Sequence, residues 1–139
     1  MAVHCSDFSI HTKGENHIID ITPEVAKAVS GSDIIDGLAC VFVPGSTGAI
    51  TTLEFEPGLL EDLPAALELI APKGREYQHH LRWQDGNGHS HVRATILGPS
   101  LTVPFRAGRL LLGTWQQIVF IELDVKPRKR QIHVQIVGE

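Results

Sequence analysis

Cysteine is scarce in this sequence. Cys5 and Cys40 are the two in 139 residues, too few for a disulfide scaffold, and neither stands in a CxxC or other metal-binding spacing. The expectation is a reduced chain in which Cys40, within Leu38-Ala39-Cys40-Val41-Phe42-Val43, packs as a small buried hydrophobe. Long apolar runs are missing too. The longest, Gly37 to Val43 and Ile118 to Ile121, are strand-length against the roughly 20 residues a membrane-spanning helix needs. Met1-Ala2-Val3-His4-Cys5-Ser6 has neither the basic start nor the apolar stretch of a secretory signal, so a cytoplasmic location without membrane association is expected. Positive charge is not in excess: 12 Lys and Arg against 16 Asp and Glu give a net charge of −4, which argues against nucleic acid as a partner. Only Lys126-Pro127-Arg128-Lys129-Arg130 concentrates it, as a solvated turn or, alternatively, an anion clamp. No P-loop, dinucleotide fingerprint or defensible Ser-His-Asp order is present, nor any internal repeat, linker or low-complexity stretch that would divide residues 1–139 into more than one domain.

What is present is an ordinary globular balance, 42% hydrophobic and 20% charged, enough for one core without disulfides or a structural metal. Phe8 to His11 reads as an opening strand and His17 to Ile21 as its hairpin partner across Gly14-Glu15-Asn16. Thr22-Pro23-Glu24 has an N-cap threonine, a proline and an early acid, which predicts a short helix from Pro23 to about Ser30. Gly37 to Val43 predicts a buried central strand, and Ala49 to Phe55 another. Leu59, Leu60, Leu63, Leu67 and Ile70 recur at helical spacing and predict a helix over Gly58 to Ile70. From Tyr77 onward, glycine turns separate short β-rich segments, ending in Leu110 to Trp115, Gln117 to Glu122 and the strictly alternating Gln131 to Val137. Two helices against roughly eight strands give an α+β class.

The chemistry concentrates in histidine. Four of the eight histidines are His79, His80, His89 and His91. On a strand, His89 and His91 share one face, a geometry suited to a metal or a phosphate, and His79 supplies a third ligand from the preceding strand, as catalytic zinc sites require. Asp85-Gly86-Asn87-Gly88 reads as the hairpin turn joining those strands, with backbone N–H groups able to approach an anion. The turn Pro44-Gly45-Ser46-Thr47-Gly48 offers two hydroxyls and two glycines. Glu54 and Glu56 share a strand face and suit a base or an additional ligand. Trp115, set among polar neighbours, suits core packing, an interface or a ligand wall. His4, His11 and His17 read as scattered polar residues.

Taken together, Tyr77-Gln78-His79, Trp83, Asp85 to His91, Gly98 to Pro104 and Gly108 to Gln116 resemble the YjbQ family over nearly the whole chain. The resemblance implies a compact α+β domain with mostly antiparallel sheets in a sandwich or barrel-like core. It also implies a homotrimer, with the motif histidines in a cleft near the subunit boundaries. Members carry the label secondary thiamine-phosphate synthase, because some weakly join an aminopyrimidine diphosphate to a thiazole phosphate. Carried residue by residue, the motif singles out His79, Asn87, His89, His91, Trp115 and Gln116, and sets Glu54 on the strand leading from the cleft. One departure is Gly45, where many members have a histidine before the pair that is here Ser46-Thr47; a ligand or acid of those members is thereby absent.

The resulting expectation is an enzyme, or a former enzyme, acting on a small phosphorylated metabolite. His79, His89 and His91 hold a divalent metal (zinc, manganese or magnesium) or an anion, and His79, His91 and Glu54 are the catalytic candidates. Ser46, Thr47, Asn87, Trp115 and Gln116 are the ligand contacts. The alternative is a non-catalytic trimeric module that binds a metabolite or a metal.

Overall fold

A computed structural model describes all of residues 1–139. In chain order the elements are β1 (Ala2–His11), β2 (Ile18–Asp20), α1 (Thr22–Ser30), β3 (Gly37–Phe42), β4 (Gly48–Leu53), α2 (Pro57–Ile70), α3 (Gln78–Trp83), α4 (Gly88–Leu97), β5 (Ser100–Arg106), β6 (Arg109–Leu110), β7 (Gln117–Glu122) and β8 (Lys129–Gly138). The strands form a five-stranded sheet, β1-β8-β3-β5-β6, and a three-stranded sheet, β2-β7-β4. Every pairing is antiparallel.

The small sheet lies between two apolar layers. Ile50, Ile118 and Phe120 join α1 and the large sheet's Ala39, Val41, Val103, Ile132, Val134 and Ile136 in the main core. From the opposite face, Ala49, Val119 and Ile121 pack against Leu67 of α2 and Ala94 of α4. Strand β7 is therefore buried on both faces, which is why Ile118 to Ile121 is continuously apolar rather than alternating. Strand β8 alternates because its outer face is open: Ile132, Val134 and Ile136 are fully buried, each contributing about 1.5–3 kcal/mol through burial, while Gln131, His133 and Gln135 point to solvent.

Several sequence expectations need correction. Strand β1 does not pair with β2; it pairs with β8, and β2 with β7, because Gly14 to His17 carries the chain from one sheet to the other. Thr22 does not cap α1. Its hydroxyl accepts a hydrogen bond from the Ile118 N–H (2.8 Å), tying the helix to β7. Cys40 is half-buried on the outer face of β3, beside Ser100, since Ala39 and Val41 take the inward positions.

The largest correction concerns residues 77–97, which form helices α3 and α4 instead of a β-hairpin, making four helices rather than two. No residue from Tyr77 to His91 is β-branched, so local preference does not favour a strand. Gln84 ends α3 in the left-handed conformation (φ 55°), and Gly86 (φ 69°) turns the chain into α4. Gly88 then lies against Tyr77 so closely that a Cβ there would stand 2.5 Å from the tyrosine Cβ.

Candidate functional site

The site is built where the chain crosses between sheets. After β3, Pro44 to Thr47 leads into β4, and this turn rests on buried charge. Glu122, at the end of β7, is completely buried. It accepts hydrogen bonds from Arg130 Nε (3.0 Å), from Arg130 Nη2 (2.5 Å) and from the Thr12 hydroxyl (2.8 Å). A buried carboxylate persists only with such partners. Arg130 Nη2 also donates to Thr47 Oγ1 (2.9 Å), and that hydroxyl donates to Asp124 Oδ2 (3.2 Å). Arg128 Nε and Nη2 close the network on Asp124 (2.8 and 2.5 Å). Burial alone would raise the Asp124 carboxyl; the Arg128 hydrogen bond, the Val125 N–H and the Arg128 charge outweigh it and hold the group below its ordinary range. The basic run is thus a solvated turn over Lys126 to Lys129, but its two arginines are not a free clamp. Arg130 is buried and Arg128 pairs with a buried acid.

Two of the three singled-out histidines meet here. His79 of α3 and His91 of α4 bring their rings to 4.3 Å between centroids. His79 Nδ1 lies 3.3 Å from Asp85 Oδ1, yet out of line for a hydrogen bond, so this buried nitrogen has no partner. The Asn87 amide, oriented to satisfy both groups, donates to both Asp85 oxygens (2.7 and 3.1 Å). Burial and the nearby His79 lower the pKa of His91, against the opposing pull of Asp85 and Asp124. At neutral pH His91 is therefore an uncharged imidazole able to accept a proton.

His89 goes elsewhere. Residues two apart in a helix point about 200° from each other, so the shared strand face expected for His89 and His91 does not exist. His89 is 1% exposed, and its Nε2 pairs with Glu15, which also pairs with Lys73 (2.9 Å). Burial pushes the Glu15 carboxyl up, but the hydrogen bonds and charges of Lys73 and His89 together leave it below its usual value. The three-histidine ligand set does not converge, and no group of three or more His, Cys, Asp or Glu side chains is placed to hold a metal ion.

Above the buried charges, a cavity of about 160 Å³ is lined by Gly45, Ser46, Gly48, His91, Ala94, Thr95 and Pro99. The N–H groups of Gly45, Ser46 and Thr47 make no hydrogen bond within the chain, and the Ser46 hydroxyl has no partner either. Successive free N–H groups in a turn form a concavity suited to an anion. The volume is below the roughly 300–1,000 Å³ of a typical whole-ligand pocket, so it suits a phosphoryl-sized head.

A family model described as UPF0047 protein YjbQ-like matches residues 6–139. The chain belongs to the YjbQ family. The UPF0047 protein of Archaeoglobus fulgidus is 40% identical over 129 residues, covering 93% of this chain and 98% of the relative. That of Methanothermobacter thermautotrophicus is 40% identical over 139 residues, covering 100% and 95%. Among solved structures, a YbjQ-like protein of unknown function from Sulfolobus solfataricus P2 superposes with a TM-score of 0.89 at 36% identity, covering 99% of this chain and 100% of that one. A hypothetical protein from Aeropyrum pernix K1 gives 0.89 at 35%, covering 98% and 99%. The shared architecture is an α+β half-barrel of curled antiparallel sheets.

The YjbQ motif residues separate within one chain. Ser46, Thr47, His79, Asn87 and His91 gather at the Gly48 end of β4. Glu54, Trp115 and Gln116 lie beyond its other end, about 17 Å along the strand, where Gln116 donates to Thr52 Oγ1 (3.4 Å) and accepts from the Gly113 N–H (3.0 Å). Trp115 is 74% exposed and is not a core residue. Sequence reasoning passed over Glu122 and Asp124 as site residues, and read Arg128 and Arg130 only as part of a solvated turn or an anion clamp. The signal was a pair of acids and a pair of arginines, each two apart, flanking one connection.

Proposed function

We propose that this protein is an enzyme acting on a small phosphorylated metabolite, with the His79–His91 pair as its acid–base apparatus and the Gly45 to Thr47 turn as its phosphate cradle. The observation that carries the reading is the His91 imidazole, packed on His79 and lining one cavity with Gly45 and Ser46, whose N–H groups make no hydrogen bond within the chain. The turn and the Ser46 hydroxyl bind phosphoryl oxygens. His91 accepts or returns a proton, and the Asp85 carboxylate, held by Asn87, stands beside His79 to balance charge on the pair. Positioning and hydrogen-bond donation to developing anionic charge supply the rate.

Joining an aminopyrimidine diphosphate to a thiazole phosphate falls within this class, because the departing diphosphate needs such donors. It is the finer part of the proposal, argued from the family resemblance. Since three histidines do not converge in the chain, the acid–base reading stands ahead of the metal one. Self-association as a homotrimer belongs to the same proposal. Leu81, Trp83, Val92 and Ile96 expose apolar surface on the site-bearing helices, and only a second copy can bring Glu54, Trp115 and Gln116 to a cleft whose other residues lie at the opposite end of β4.

The test is turnover on a panel of phosphorylated metabolites, including that substrate pair, by wild type, His91→Ala and His89→Ala, with metal content measured by mass spectrometry. We expect His91→Ala to lose about 10²-fold or more in rate with its melting curve unchanged. Full activity in His91→Ala would overturn the acid–base role. Ligand-dependent thermal stabilisation with no product would favour a binding module, and near-stoichiometric metal would restore the metal reading.

A further inference from the structure

Arg130 is only partly used by the network that buries it. Its Nε and Nη2 make three hydrogen bonds, to Glu122 and to Thr47, whereas Nη1 makes none. The side chain is 9% exposed, so this nitrogen is a donor held in place by the rest of the guanidinium and left free at one end.

What lies in front of it is a missing side chain. A Cβ at Gly45 would stand 3.2 Å from Arg130 Nη1, with no other heavy atom within 4 Å. The position that a side chain would occupy is therefore an open notch ending on the arginine. Gly45 also adopts a φ of 114°, which L side chains rarely tolerate, so turn conformation and notch depend on the same residue. On the cavity side, Gly45 and Ser46 share the lining with His91.

We propose that Arg130 Nη1, uncovered by Gly45, donates to a phosphoryl oxygen bound at the Gly45 to Thr47 turn. The inference rests on the phosphorylated-metabolite reading and adds to it a recognition residue from β8. Two arginines and two acids balance each other beneath the turn, so the ligand meets a directed charge-assisted donor rather than surplus charge. Because a guanidinium stays protonated throughout the working range, this contact persists while His91 is neutral.

The experiment is a ³¹P NMR titration with inorganic phosphate at pH 7 on wild type, Arg130→Lys, Gly45→Ala, their double variant and His91→Ala, with thermal melting of each. Lysine retains a charge for Glu122 but lacks the second terminal nitrogen. A methyl group at position 45 covers Nη1 and also strains the turn, so should Arg130→Lys fail to fold, undiminished phosphate binding by Gly45→Ala overturns the assignment. We expect each single variant to bind phosphate about tenfold more weakly or worse, and the double variant to be no weaker than the worse single, as required if both act through one contact. Wild-type-like binding by Gly45→Ala and Arg130→Lys, with His91→Ala weakened, would overturn the Arg130 assignment and leave the site reading standing. Failure of wild type to bind phosphate would remove both.

Discussion

Between His89 and His91, Ser90 is completely buried and its hydroxyl has no hydrogen-bond partner. A buried hydroxyl without a partner loses its hydration and gains nothing in return. Ser90→Ala should therefore be neutral or stabilising by up to about 1 kcal/mol, read from the urea midpoint at pH 7. A loss above that would mean that the hydroxyl has a partner. His89→Ala should behave in the opposite way. It removes the buried partner of Glu15 and opens a space beside Tyr77, for a cost of about 2–3 kcal/mol. On the proposed function the three consecutive residues separate: His89 acts on stability, Ser90 on neither, His91 on chemistry.

One side chain of helix α4 makes hydrogen bonds to the end of α2, beside the apolar packing of Leu67 and Ala94. Arg93 is 1% exposed, and its Nε donates to the Ala71 carbonyl (2.9 Å) while Nη2 donates to Glu68 (2.6 Å). The Ala71 carbonyl lies at the end of α2, where helices leave acceptors unpaired. Arg93→Ala should cost about 2–4 kcal/mol, measured by urea denaturation, and should weaken phosphate binding by loosening the helix that carries His91. The sequence made α2 legible because its leucines repeat on one face, and β8 because it alternates. Helices α3 and α4 were not legible. Asp85-Gly86-Asn87-Gly88 has hairpin chemistry, and the left-handed conformation that ends a helix at Gln84 leaves no mark when the residue is not glycine. The site was half legible for the same reason. Ser46, Thr47, His79, Asn87 and His91 were identified and do converge, but the strand reading attached His89 to them, and pairing of Glu122 with Arg130 became visible only once β7 and β8 were placed.

At the scale of the whole molecule, four titratable groups respond to acid in the same direction. Burial and the charge of Lys13 lower His17, opposed by Glu122, and His91, Glu15 and Asp124 are lowered as described. A group whose folded-state pKa is depressed holds fewer protons folded than unfolded, so its stabilisation is complete above the unfolded value and is lost as pH falls through the folded one. The histidines, ordinarily near 6.5, should begin to erode stability below that pH; Glu15 and Asp124, ordinarily at 4.5 and 3.8, should add a second loss lower down. Urea midpoints recorded from pH 8 to pH 3 should show a plateau followed by two descending stages. A midpoint that rises on acidification from pH 7 to pH 5 would contradict the assignment. Sedimentation at pH 7 should give three times the chain mass if the trimer of the proposed function is correct.

The two imidazoles of the candidate site belong to parts of unequal rigidity. Helix α4 is fastened by His89 and Arg93, whereas α3 buries no residue and ends at Gln84 and Gly86. Amide hydrogens of residues 78–83 should accordingly exchange faster than those of residues 88–97. On the proposed function, His91 is held in position while His79 rides on the looser helix, so closing α3 over bound substrate would be a step of its own, with a rate separate from that of the proton transfer it prepares.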